Sequence, residues 1–174
     1  MRADEERDYV EYVQGRTLAL RRSAFRLCGD WDHAYDLVQV TFIKLYQHWR
    51  KAIAASSMDA YVGKILINTF LAEQRRWWQR RVRTSASLAA LEVAAEPSPD
   101  HDGAVDLMAA LARLSPGQRA VLVLRYWEGL DVEGTAEVLG CSPGTVKSQT
   151  SYALERLRIL APDLVELTWE ESAR

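Results

Sequence analysis

The 174-residue chain carries 48% hydrophobic and 26% charged residues, an ordinary globular composition with room for one domain or two small ones. No stretch approaches the roughly 18–20 uninterrupted apolar residues of a membrane span, and the charged opening MRADEERDYVEY lacks the apolar centre of an export signal. The expected compartment is therefore the cytoplasm, without membrane insertion. The net charge of −2 hides a split: residues 1–83 hold 15 Lys/Arg against 10 Asp/Glu, whereas residues 84–174 hold 7 against 14.

Helical periodicity dominates, and no alternating strand pattern of useful length occurs. A first helix is predicted over about 5–27, with Tyr9, Tyr12, Val13, Ala24 and Phe25 among its inward positions, and Gly29-Asp30 breaks it. A second begins near Asp32 and packs through Ala34, Leu37, Val38, Thr41, Phe42 and Leu45. A loop at 53–57 precedes a long helix from Met58, capped by Ser57, on which Tyr61, Ile65, Asn68, Thr69 and Ala72 recur at helical spacing. That helix ends in Arg75-Arg76-Trp77-Trp78-Gln79-Arg80-Arg81-Val82-Arg83. Residues 84–103, rich in Ala, Ser, Pro and acid, read as an extended acidic linker with room for one helical turn.

A helix over 105–114 follows, and Ser115-Pro116-Gly117-Gln118 is a capping box that launches another through Trp127. The segment 129–158 then carries helix-turn-helix punctuation. Asp131 caps a short helix with apolar Val132, Ala136 and Leu139. Gly140 ends it, and Ser142-Pro143 opens a second helix whose inward stripe is Val146, Thr150, Ala153 and Leu157. The other faces of this helix offer Lys147, Ser148, Gln149, Ser151, Tyr152 and Arg156 as hydrogen-bond donors to phosphates or base edges. A helix of that chemistry after a tight turn suits the DNA major groove.

Each motif also has a plainer reading. The arginine tract can neutralise a helix C-terminus while its tryptophans close a core; beside a DNA-reading helix, phosphate binding and base stacking is the better account. Asp30, Asp32 and Asp36 fit helix-start chemistry and an exposed acidic face, suited to a basic partner. Cys28 and Cys141 are far apart and read as small buried hydrophobes. His33, His48 and His101 lack metal-ligand spacing. With no metal motif, glycine-rich phosphate loop or nucleophile–base constellation in the sequence, neither a cofactor nor an enzyme is expected.

The segment Asp32-His-Ala-Tyr-Asp-Leu-Val-Gln-Val-Thr-Phe resembles the "DAEDLVQETF" signature of bacterial sigma factors of the extracytoplasmic-function type. Tyr61-Val-Gly-Lys-Ile-Leu-Ile-Asn68-Thr resembles the aromatic-to-asparagine segment that follows it. The segment 114–130 and Gly144-Thr-Val-Lys-Ser148 are similar to that family's C-terminal DNA-binding domain, with Gln-Thr-Ser following as in a sigma-E-like actinobacterial subgroup.

The resemblance implies an all-α protein of two small helical domains joined by a flexible linker. Residues 1–83 would form sigma region 2, 84–103 the acidic linker, 104–160 the region 4 helix-turn-helix and 161–174 a short acidic tail. Asp32, Asp36 and Gln39 would face core RNA polymerase. Tyr61, Lys64, Asn68, Arg75, Arg76, Trp77 and Arg80 would meet the −10 promoter element, beside the 53–58 loop. Arg125, Lys147, Ser148, Gln149, Ser151 and Tyr152 would meet the −35 element. The implied partners are core RNA polymerase, promoter DNA and an anti-sigma factor.

The chain departs from the pattern at Val40, Gly63, Gly134-Thr135 and Tyr152, which stand in place of an acid, a cation, Glu-Ile and a frequent arginine. A stand-alone helix-turn-helix regulator is the alternative, and a purely interacting helical protein a third. Both leave the N-terminal signature and arginine tract unexplained. In the free chain the DNA-facing surfaces near 75–83 and Lys147 are expected to be partly occluded by the linker acids or by an inhibitory protein.

Overall fold

The computed structural model describes residues 2–84 and 104–161, so the expected linker and acidic tail lie outside the described residues except for Thr84 and Ala161. All regular structure among the described residues is helical. Helix α1 spans Ala3–Cys28 and ends where Gly29 takes φ 76°, its amide donating to the Phe25 carbonyl at 2.7 Å. At the start of α1, Glu5 is held below the usual carboxylate range chiefly because the Arg2 amide donates to it. The Arg50 guanidinium, 3.2 Å from the same carboxylate, works in the same direction against the effect of burial.

Helix α2, Trp31–Gln47, is capped by the Asp30 carboxylate, which accepts from the His33 amide at 2.7 Å. Its buried residues are the six the periodicity selects: Ala34, Leu37, Val38, Thr41, Phe42 and Leu45. A short helix α3, Trp49–Ile53, was not expected. Five residues carry too little periodicity to announce it; burial of Trp49 against the edge of the Tyr9 ring, centroids 5.4 Å apart, secures it.

Helix α4, Met58–Thr84, begins with Ser57 Oγ accepting from the Ala60 amide at 3.2 Å. The expected stripe on α4 is only partly the buried one: Thr69 is buried and Tyr61, Ile65 and Ala72 are half-buried, but Asn68 is exposed and Val62, Leu66, Ile67 and Phe70 supply the core. Apolar residues surround so much of this helix that spacing alone admits two stripes. Packing decides between them, with α1 and α2 on one side and the C-terminal helices on another. Two polar ties fix the α2–α4 register: Lys44 Nζ donates to Thr69 Oγ1 at 2.8 Å, and His33 Nε2 lies 2.9 Å from the Glu73 carboxylate.

In the C-terminal part, α5 covers Ala104–Ala112 and α6 covers Pro116–Leu122. The capping box forms as expected, with the Gln118 amide donating to Ser115 Oγ and the Ser115 amide to Gln118 Oε1, both at 3.2 Å. The helix does not continue regularly to Trp127. Residues Val123–Trp127 form a π-helical turn, closed by the Glu128 amide donating to the Val123 carbonyl at 3.0 Å. Such a turn carries an extra residue and re-aims the side chains after it; here those are Trp127 and Glu128, ahead of Gly129 at φ 68°.

Helix α7, Val132–Leu139, has Asp131 as its cap and Gly140 at φ 65° as its stop. Gly134 is explained by that cap, since a Cβ there would lie 3.0 Å from the Asp131 Oδ1 that accepts from the Gly134 amide. Helix α8, Pro143–Leu160, starts with Ser142 Oγ accepting from the Thr145 amide at 3.1 Å and buries Val146, Ala153 and Leu157. Thr150 is half-buried and returns its hydroxyl to the Val146 carbonyl. Both cysteines are free thiols and half-buried, not fully buried as expected.

The two parts are in direct contact. Leu27, Val62 and Phe70 share one buried cluster with Ala120, Val123, Leu124 and Val138. Smaller clusters hold the C-terminal part itself: Leu111, Leu114, Leu122 and Leu157 in one, Val121, Ala136 and Val146 in the other.

Candidate nucleic-acid and polymerase interface

Three exposed surfaces carry the residues singled out by the sequence. The first lies on α2. Asp32, Asp36, Gln39 and Ile43 recur at spacings of four, three and four, and all are exposed. Because the opposite stripe is wholly buried, this face is rigidly presented. Tyr35 joins it, about half exposed beneath the Arg21 guanidinium, which also reaches the Trp31 ring; Trp31 in turn stacks on Phe25 at 4.1 Å. The sequence reading missed Tyr35 and Ile43. Their signal was available: each is apolar yet falls outside the buried stripe.

The second surface runs along α4. Tyr61, Lys64, Asn68 and Arg75 are separated by three, four and seven residues and so line one face. Arg76 and Arg80 occupy a neighbouring face, and Trp77 points towards the other side of the helix. The tryptophans do not close a core: Trp77 and Trp78 remain about half exposed. Tyr61 is half-buried, and Lys64 Nζ lies 3.7 Å from the Glu137 carboxylate of α7. The face therefore offers a cation, an amide and an arginine in a row, partly engaged at its Lys64 end.

The third surface is α8. Lys147, Ser148, Ser151 and Tyr152 are exposed together, while Gln149 is half-buried at their edge. Ser148 Oγ already donates to the Thr145 carbonyl at 3.0 Å, leaving it an acceptor towards any ligand. Arg125 lies on the π turn rather than on α8. It is half-buried, and its Nη1 donates to the Leu130 carbonyl at 2.7 Å, bracing the segment between the π turn and α7. Glu155, which the sequence reading passed over, is exposed on the same side as Ser148 and Ser151. Its carboxylate would repel phosphate and suits a cytosine amino group.

Among the described residues, no cluster of His, Cys, Asp or Glu could hold a metal, and no helix is long and apolar enough to cross a membrane.

Residues 16–81 match sigma-70 region 2, and residues 104–157 match sigma-70, region 4. The chain is 38% identical over 173 residues to the RNA polymerase sigma-E factor of Streptomyces coelicolor, a match spanning 96% of this chain and 94% of that protein. The chain belongs to the sigma-70 family of RNA polymerase sigma factors. Within it, the chain falls in the extracytoplasmic-function branch. The sigma-E factor of Streptomyces avermitilis is 39% identical over 87% of this chain and 83% of its own length. The ECF RNA polymerase sigma factor SigE of Mycolicibacterium smegmatis is 32% identical over 85% of this chain and 59% of its own. Among solved structures, the sigma factor RpoE of Bartonella quintana, crystallised with the anti-sigma factor NepR, aligns at a TM-score of 0.71 and 30% identity, over 90% of this chain and 98% of that one. The two matched regions order this sigma factor's surfaces along the chain, α2 and α4 in region 2 and α8 in region 4.

Proposed function

We propose that this sigma factor binds core RNA polymerase through α2 and directs promoter-specific initiation by presenting α4 to the −10 element and α8 to the −35 element. The observation that carries the reading is the coexistence, in one helical chain, of three separately exposed faces of different chemistry. Each fits a different partner. Asp32, Asp36 and Gln39 suit a basic surface of the polymerase, with Tyr35 and Ile43 adding apolar contact. Arg75, Arg76 and Arg80 suit phosphates, and Tyr61 and Trp77 suit stacking on bases exposed as the duplex opens. On α8, Lys147 acts on phosphate while Ser148, Ser151 and Tyr152 face base edges in the major groove. Arg125 acts as a brace for this helix pair. The protein works as an initiation factor and contributes no chemistry of its own, acting where the polymerase acts, in the cytoplasm. An anti-sigma protein, of the kind that accompanies the Bartonella neighbour, is a further partner.

The α2 assignment has a direct check. The double substitution Asp36→Arg and Gln39→Ala reverses charge on an exposed face without touching the buried stripe. It should weaken binding to purified core polymerase at least tenfold, about 1.4 kcal/mol, with an unchanged helical circular dichroism spectrum. Undiminished affinity for core would move the polymerase contact off α2.

A further inference from the structure

Beside its acids, α2 carries large apolar side chains that its buried stripe does not use. Trp31, Tyr35, Ile43 and Tyr46 are each roughly half exposed. The helical period sets Trp31, Tyr35, Gln39 and Tyr46 along one flank of α2, and α1 supplies a neighbour for each ring on that flank. Phe25 stacks on Trp31 with ring centroids 4.1 Å apart and planes 9° from parallel. The Arg21 guanidinium lies 5.8 Å from the Trp31 ring centroid and 5.7 Å from that of Tyr35. Tyr9 meets Tyr46 edge-on at 5.2 Å, and its hydroxyl is fixed by donating to the Phe42 carbonyl at 2.9 Å. Arg21 Nε is buried with no hydrogen-bond partner among the described residues, so ring faces rather than hydrogen bonds hold this guanidinium. Half of each ring stays in water, so the gain in stability is modest. What the arrangement provides is a set of aromatic side chains already fixed in one orientation, the condition under which contact area converts to affinity.

We propose that this chain holds core polymerase by an aromatic grip more than by charge, with Trp31 and Tyr35 as anchors and Arg21 of α1 as the residue that positions them. The inference rests on the reading of α2 as the polymerase-facing helix. Against the signature that α2 resembles, Tyr35 and Val40 each stand where that signature has a glutamate, so two acids have given way to larger apolar surface. The acids that remain, Asp32 and Asp36, lie exposed beside the row. Exposed charges steer the encounter and are screened by salt, whereas aromatic anchors buried in an interface govern dissociation. Tryptophan and tyrosine are the side chains that most often dominate interface energetics, and these two sit side by side under one guanidinium. The polymerase surface that fits is an apolar patch rimmed by cations. Arg21 needs no contact of its own with that surface; it acts through the two rings.

The test follows association and dissociation of the full chain with purified core polymerase by surface plasmon resonance across a salt series. Trp31→Ala and Tyr35→Ala should each raise the dissociation rate about ten- to thirtyfold, as expected for interface anchors, and leave the association rate and its salt dependence unchanged. Asp32→Asn should do the reverse, slowing association at low salt with dissociation unmoved. Tyr35→Glu, which restores the signature acid on an exposed site, should speed dissociation and steepen the salt dependence of association. Arg21→Gln should raise the dissociation rate about fivefold, and Arg21→Lys, which keeps a cation over the rings, should recover most of that loss. Added to Trp31→Ala with Tyr35→Ala, Arg21→Gln should cost nothing further, because a residue that acts through others has no effect once they are gone. Dissociation rates indifferent to Trp31→Ala and Tyr35→Ala would overturn the aromatic grip. A further loss from Arg21→Gln in their absence would overturn the positioning role and make Arg21 a direct contact. If Asp36→Arg with Gln39→Ala also leaves core affinity intact, the α2 reading itself fails; a loss there beside silent Trp31 and Tyr35 variants confines the failure to the anchors.

Discussion

Phe70→Ala is expected to destabilise the chain by about 3–5 kcal/mol, the cost of emptying a fully packed aromatic site. Phe70 is completely buried on α4, in the cluster that joins α1 and α2 to Val123 and Leu124 of region 4. The Arg119 guanidinium lies 5.8 Å from its ring centroid, so the cavity would also uncover a half-desolvated cation. Against a typical total of roughly 5–15 kcal/mol, such a loss is a large fraction of stability. Urea denaturation followed by circular dichroism measures it as a fall in midpoint. Ile159→Ala is the control, since Ile159 is 76% exposed and should shift stability by no more than about 0.5 kcal/mol. Similar midpoints for the two variants would mean that the core is not centred where α4 meets its neighbours.

Substitutions on α8 should separate binding strength from sequence choice. Lys147 and Tyr152 are both exposed on the helix, one a point charge and the other an aromatic hydroxyl, so they should fail in different ways. Lys147→Ala should weaken promoter binding by the holoenzyme across all sequences and reduce the slope of log affinity against log salt by about 0.9, the release of one counterion. Tyr152→Ala should alter the ranking of −35 sequences by about 1–3 kcal/mol, the discrimination carried by a side chain at a base edge. Selection from a randomised −35 library with each holoenzyme distinguishes them. An unaltered ranking with Tyr152→Ala would remove this residue from the readout, and a salt slope unmoved by Lys147→Ala would remove that one from the phosphates.

Much of this arrangement is legible in the residues themselves. The caps at Asp30, Ser57, Ser115, Asp131 and Ser142 act through local backbone amides, so spacing alone locates the helix starts. The buried stripe of α2 is equally local, because only one face of that helix is apolar. What spacing misses depends on distant partners. The core face of α4 is selected by α1, α2, α3, α6 and α7, packed around a helix with apolar residues on several sides. The π turn at 123–127 arises where α6 must swing Trp127 and Glu128 onto α1, a demand set some hundred residues earlier in the chain. Arg125 looks like a DNA-binding cation in sequence, yet the turn it braces exists only in the folded chain. Gly134 is a departure from the family pattern until the Asp131 carboxylate beside it is seen.

The most direct test of the account is transcription reconstituted from purified core polymerase and this chain on a genomic promoter library. The account predicts discrete start sites that appear only when both components are present, and no promoter-specific footprint from the chain alone. A tight, sequence-specific footprint by the isolated chain, unchanged when core polymerase is added and without new start sites, would contradict it and identify a stand-alone regulator.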